Sequence, residues 1–215
     1  KYAMAGFTHM QDGASSWPDV QFLTGAAAAS RLKLDLAMLP TSQNLPALDK
    51  HPELKFGSYS GHVKLQGIKF VLDGSPQART AYFTKDYRNG APDGHHPWHG
   101  TSNMTQDQFN AEAKQVRAEG WQLFVHANGD AAIDMAVKGF DAAGIKARDN
   151  ARPVVIHSQF QRPDQLKDYV RIGVGPAYFS NHTYYFADIQ RSNFTAEVVD
   201  FISPFQSALK AGLHA

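Results

Sequence analysis

Three short apolar runs each carry one ionisable residue in or at the end of the run: Ile68-Lys69-Phe70, Val125-His126 and Ile156-His157. A lysine inside a buried strand is costly unless it is paired or neutralised. Burial lowers its pKa and favours the neutral amine. A neutral amine can take up carbon dioxide and become a carbamate, an oxygen ligand for a metal. It can equally form a Schiff base or pair with a carboxylate. A lone histidine at a strand end is more often a hydrogen-bonded structural residue, but His126 and His157 occupy the same relative position on successive strands. They lie 31 residues apart, about one strand-helix repeat, and so belong side by side at one mouth of a sheet. Catalytic zinc takes three protein ligands and leaves a fourth position to water. Carbamylated Lys69, His126 and His157 would supply the three, and the ion would bring the pKa of its water toward neutrality. Imidazole and carboxylate oxygen also suit iron, nickel or manganese.

The elements that must position these residues alternate. Strand-like runs fall at Phe7 to Asp12, Leu34 to Leu39, Gly67 to Leu72, Trp121 to His126 and Pro153 to His157, with a short candidate at Gly173 to Gly175. Helix-like runs fall between them, at Asp19 to Leu32, from Thr105 to about Glu119, Asp130 to Ala143, Pro163 to Ile172 and Thr195 to Ala211, the last bent at Pro204. Thr105-Gln106-Asp107-Gln108 reads as a capping box. Residues 44–60 read as irregular, and residues 74–104 as a long loop rich in Gly, Pro, His and Asn. Loops of that length inside a domain are usually functional or mobile. Strands alternating with helices predict a parallel sheet covered by helices, either doubly wound or a (β/α) barrel. In such folds ligands bind beyond the carboxyl ends of the strands.

Composition narrows the function classes. The chain has 215 residues, 43% hydrophobic and 19% charged, which is enough for a packed core in a single domain over 1–215. Its net charge of +1, with no basic stripe, argues against nucleic acid as a partner. With no cysteine there is no disulfide, thiolate metal site or cysteine nucleophile, and the redox compartment stays open. No stretch approaches the roughly 18 apolar residues of a membrane helix. The first residues, Lys1 to Gly6, show neither an initiator methionine nor a signal peptide, so localisation is unreadable.

Three stretches carry a family resemblance: "GIKFVLDGSPQARTAYF", "GWQLFVHANGDAAIDMAV" and "RPVVIHSQF", with "AGFTHMQDGA" near the start. Together they resemble the amidohydrolase superfamily of metal-dependent hydrolases, and within it the subgroup that includes N-substituted formamide deformylases. The resemblance implies a (β/α)8 TIM barrel whose mouth holds one or two divalent metals, zinc foremost. It implies that Lys69 is the strand-four lysine that becomes a carbamate, with His126 and His157 the histidines of strands five and six. It also implies hydrolysis of C–N bonds in amides or formamides, by attack of a metal-bound hydroxide on the carbonyl of a small-molecule substrate.

Two family features are missing from this stretch. There is no His-x-His before Phe7, and His9 has no partner two residues away. The family's aspartate after strand eight, a metal ligand and proton acceptor, would lie beyond Ala215. The expectation is therefore a partial barrel of about strands two to seven, without the first and last strands or the family's β-sandwich. One metal is expected here and two in a complete parent, with little or no turnover by this chain and self-association through exposed strand edges. The rival expectation is a non-catalytic barrel binding a small ligand or a protein. A carboxylate paired with Lys69 would favour that rival.

Further residues are weighed beside these. Asp73, Arg79 and His182 are candidate substrate contacts; the structural alternative is orienting its neighbours for Asp73 and aromatic packing for His182, while Arg79 belongs to the first family-like stretch. Gly74 is expected to take a turn conformation closed to other residues. Asp130, in the first turn of a helix, is expected to act as a cap. "GHHPWHG" gathers His95, His96 and His99, but Pro97 breaks any helix there, and a solvated loop is expected rather than a metal site.

Overall fold

The computed structural model describes residues 1–215. The chain divides into two compact units, one of residues 1–70 and 116–124, the other of 71–115 and 125–215.

The first unit opens with strand β1 (His9–Ser15), helix α1 (Trp17–Ala28) and strand β2 (Asp35–Pro40). Ser16 caps α1, accepting from the Asp19 backbone while the Asp19 carboxylate accepts from the Ser16 backbone; Pro18 fits the first turn, where no amide proton is needed. A helical turn α2 (Leu45–Leu48) and the strands β3 (Tyr59–Ser60) and β4 (Val63–Leu65) follow. β3 and β4 form a hairpin inside or beside the segment expected to be irregular. Its two-residue turn, Gly61-His62, has both residues at positive φ, 54° and 72°, which gives the twist a tight hairpin needs. The sheet runs β1-β2-β4-β3, parallel except for the β3–β4 pair. Its core joins Val20 and Ala27 of α1 to Leu36, Met38, Val63 and Leu65.

A second sheet has the order β5-β6-β7-β8, from strands β5 (Gly67–Val71), β6 (Gln122–Ala127), β7 (Val154–His157) and β8 (Gly175–Ala177). Helix α3 (Gln106–Ala118) precedes β6, α4 (Asp130–Ala142) follows it, and α5 (Pro163–Ile172) joins β7 to β8. The β7–β8 pair is parallel, as a helical crossover requires. The capping box of α3 is present: Thr105 Oγ1 accepts from Gln108 N at 3.2 Å and Gln108 Oε1 accepts from Thr105 N at 2.9 Å. The fold is thus mixed α/β with parallel sheets, of the partial TIM-barrel kind; the strands do not close into a barrel. No helix is long and apolar enough to cross a membrane.

One expectation changes near the C-terminal end. The segment expected as one helix from Thr195 to Ala211 is two, α8 (Ala196–Val199) and α9 (Phe205–Lys210). Ser203 at φ 46° and Pro204, which has no amide proton, separate them. The aromatic stretch 179–186 is mostly helical: α6 (Asn181–Tyr185) precedes α7 (Ala187–Asn193).

Candidate metal centre

β6 and β7 deliver His126 and His157 to the same end of the sheet. Their imidazole rings lie 4.9 Å apart, centroid to centroid, at 83°. His157 ends its strand at φ 70° and Ser158 follows at φ 43°, two successive residues in the left-handed region. Such conformations cost about 1–3 kcal/mol each and persist where the surroundings over-determine them. Here Ser158 is fully buried and its hydroxyl is 2.9 Å from that of Tyr169, which is also fully buried.

His126 has a polar neighbour beside each ring nitrogen. Asn128, two residues on and on the same face of the strand, places Nδ2 3.2 Å from His126 Nε2. The same Nδ2 donates to the Gly74 carbonyl at 2.8 Å, which identifies this end of the amide as the NH2. An NH2 can only donate, so Nε2 of neutral His126 is the acceptor and the proton sits on Nδ1. Nδ1 is buried, 3.1 Å from Asp73 Oδ1, but too poorly aligned to make a hydrogen bond.

Asp73 organises this corner. It is 1% exposed, and its carboxylate accepts from the backbone amides of Tyr82 at 3.1 Å, Asn128 at 3.0 Å and Gly129 at 2.9 Å. It thereby ties the end of β5, the 74–104 loop and the β6–α4 turn together. Gly74 does not take a left-handed conformation; a Cβ there would lie 2.2 Å from Thr80 Oγ1, so the constraint is close approach. Gly129 is held the same way, with Tyr82 O 1.9 Å from where its Cβ would be.

His182 joins the two histidines. Its ring lies 5.4 Å from that of His157, tilted 31°, between Phe179 at 4.7 Å and Phe186 at 5.6 Å. Its Nδ1 is buried without a hydrogen bond, and burial holds its pKa below the usual histidine range. Arg79 is engaged elsewhere in the loop: Nη1 donates to the Asn89 carbonyl at 2.6 Å and its own carbonyl accepts from Trp98. Asp130 does more than cap α4. It accepts from Thr84 N at 2.9 Å and from Arg162 Nη1 at 2.9 Å. His95 and His99 turn to acids of their own loop, Asp93 at 2.6 Å and Asp86 at 3.2 Å.

Lys69 belongs to the first unit. It is 6% exposed, makes no ion pair, and burial pushes its pKa down to about 8. About one amine in ten is then neutral at pH 7.

The sequence pattern of the amidohydrolase family matches residues 1–215. This chain belongs to the amidohydrolase family. Among solved structures, the amidohydrolase chain is similar to an uncharacterized metal-dependent hydrolase from Pyrococcus horikoshii OT3, with TM-score 0.82 and 21% identity over 98% of this chain and 41% of that one. It is similar to another from Pyrococcus furiosus, with TM-score 0.77 and 22% identity over 94% of this chain and 40% of that one. A. niger ochratoxinase follows at TM-score 0.57 and 12% identity, over 99% of this chain and 52% of that one. These TM-scores establish a shared fold. The chain spans about two fifths of the length of the two Pyrococcus hydrolases. No curated protein matches.

The donors present fit a divalent ion. Two imidazoles stand close enough to share one, given metal–nitrogen distances of about 2.0–2.1 Å, and the neutral imidazole of His126 has its unprotonated nitrogen at Nε2. No set of three or more His, Cys, Asp or Glu side chains is already gathered. The expected third donor, Lys69, is of another type. Sequence reading passed over Asn128 as a contact of His126; its i, i+2 position on the same strand end is the signal that could have found it.

Proposed function

We propose that this amidohydrolase domain serves metal-dependent hydrolysis of C–N bonds, converting an amide or formamide and water into a carboxylic acid and an amine. The observation that carries the reading is the His126–His157 pair, set side by side at the ends of adjacent strands in a chain that matches the family throughout. His126, His157 and Lys69 as its carbamate would hold the ion, with zinc the leading candidate. The names of the Pyrococcus hydrolases agree with metal dependence, and the sequence stretches resemble the formamide deformylase subgroup.

Bound there, a divalent ion would supply Lewis acidity to a carbonyl oxygen and to water. The chain's own residues do the positioning. Asn128 fixes the tautomer of His126, and Asp73 fixes the turn that carries Asn128. His182, neutral in its aromatic sleeve, presents a buried nitrogen beside His157 for a substrate hydrogen bond. Burial of Lys69 without a counter-charge keeps part of it as the free amine that carbamate formation needs. The non-catalytic reading expects a carboxylate against Lys69, and Lys69 makes no ion pair.

The test is amine release from N-formyl and N-acyl amines by zinc-loaded protein. Turnover by this chain is expected to be weak, abolished by chelation and lost in His157→Ala. Release that survives both chelation and His157→Ala would contradict the proposal.

A further inference from the structure

A cavity of about 200 Å³ lies in the second unit, apart from the three histidines. Its wall is aromatic: Phe83, Phe160 and Phe194, which pack against one another with ring centroids 4.5 to 5.1 Å apart, and Phe201. Its edge is charged, and the charges do not balance. Arg162 lines it and donates to three carboxylates at once, Asp130 at 2.9 Å, Asp134 at 2.9 Å and Asp164 at 3.0 Å. One guanidinium against three carboxylates leaves two negative charges. Glu197, also on the lining, adds a third, and Lys85 returns one. The negative balance of this rim favours a cation placed at the mouth of the apolar cavity.

A second observation points into the same cavity. Gln161 lines it and is 2% exposed, yet its Nε2 has no hydrogen-bond partner; its Oε1 accepts from the Tyr178 hydroxyl. A buried amide NH2 without an acceptor costs about 1–3 kcal/mol. Protein neighbours satisfy the other groups of this edge: Gln165 Nε2 donates to the Asp130 carbonyl at 2.8 Å and to Asp134 at 2.6 Å. The cavity thus combines a net negative rim, one amide NH2 without an acceptor, and aromatic rings of the kind that attract both apolar groups and ammonium ions.

We propose that this cavity is a binding site for a small organic ammonium ion that also carries an apolar branch and a hydrogen-bond acceptor. The ammonium sits toward Glu197 and Asp164, the acceptor takes the Gln161 Nε2–H, and the branch lies on the phenyl rings. The site uses none of the three histidines and does not depend on the hydrolytic reading.

The probe is leucinol, which has all three features, compared with 4-methylpentan-1-ol, which lacks the amine. Binding to metal-free protein is followed by nuclear magnetic resonance titration. Leucinol is expected to saturate with a Kd on the order of 1 mM, appropriate to so few heavy atoms. The alcohol is expected to bind at least roughly fivefold more weakly, the worth of one charge-assisted contact. Glu197 is exposed and makes no ion pair, so Glu197→Gln should fold normally and weaken leucinol by roughly threefold or more while leaving the alcohol unchanged. Phe201→Ala should weaken both. Equal binding of amine and alcohol, no saturable binding of leucinol, or indifference of leucinol to Glu197→Gln would each overturn the proposal.

Discussion

Asp73 Oδ1 stands 3.1 Å from His126 Nδ1, and the same carboxylate accepts the backbone amides of Tyr82, Asn128 and Gly129. One buried side chain therefore stands against the candidate ligand and holds the turn that carries its neighbour. Asp73→Ala strips the partner from three amides, each worth about 1–3 kcal/mol when left unpaired in the interior. The expected loss is about 3 kcal/mol or more, read by urea unfolding. Asp73→Asn keeps the shape and part of the acceptance, and should lose less. Equal stability of Asp73→Ala and wild type would show that the corner is held by something else.

Gly129→Ala tests the same turn from the other side. The added Cβ would fall 1.9 Å from the Tyr82 carbonyl oxygen, a backbone atom that cannot swing away. The turn must open, at a cost of about 1–3 kcal/mol, and His126 with Asn128 must shift. Thermal unfolding and the His126 ring resonances should both change. A variant with wild-type melting and unshifted His126 signals would mean that the turn yields freely.

Lys69 sets a pH dependence whose sign follows from its burial. Its folded-state pKa of about 8 lies below its unfolded value of 10.5, so the folded state disfavours the proton. The penalty is fully present below pH 8, about 3 kcal/mol, and is relieved as pH rises from about 8 toward 10.5. Lys69→Met removes the charge but keeps the length. In carbon dioxide-free buffer the metal-free variant should be more stable than wild type at pH 7. Its advantage should shrink by about 2 kcal/mol at pH 9.5. Urea unfolding at the two pH values checks this, and a constant difference would mean that Lys69 titrates near its ordinary value.

The alternation of elements was legible because parallel strands buried on both faces read as short apolar runs, and because caps such as Thr105 and Pro163 mark helix starts. His126 and His157 stood out as a pair, because they end successive apolar runs at the same relative position. What the sequence did not show rests on long-range approach. Gly74 looks like a turn residue in sequence, and only Thr80 lying against it reveals a packing constraint. Arg162 looks like one surface charge among many until Asp130, Asp134 and Asp164 gather on it. Helix α6 likewise had no sequence signal, and its packing carries His182 against His157.

The central claim is that His126 and His157 hold a divalent metal together with Lys69. Elemental analysis of purified protein, reconstituted with zinc and bicarbonate and freed of loose ions, measures it directly. The account predicts close to one equivalent per chain, lost in His126→Ala and in His157→Ala and sharply reduced in Lys69→Ala, with each variant shown to be folded by circular dichroism. No bound metal in the wild type, or one equivalent retained by the histidine variants, would contradict it.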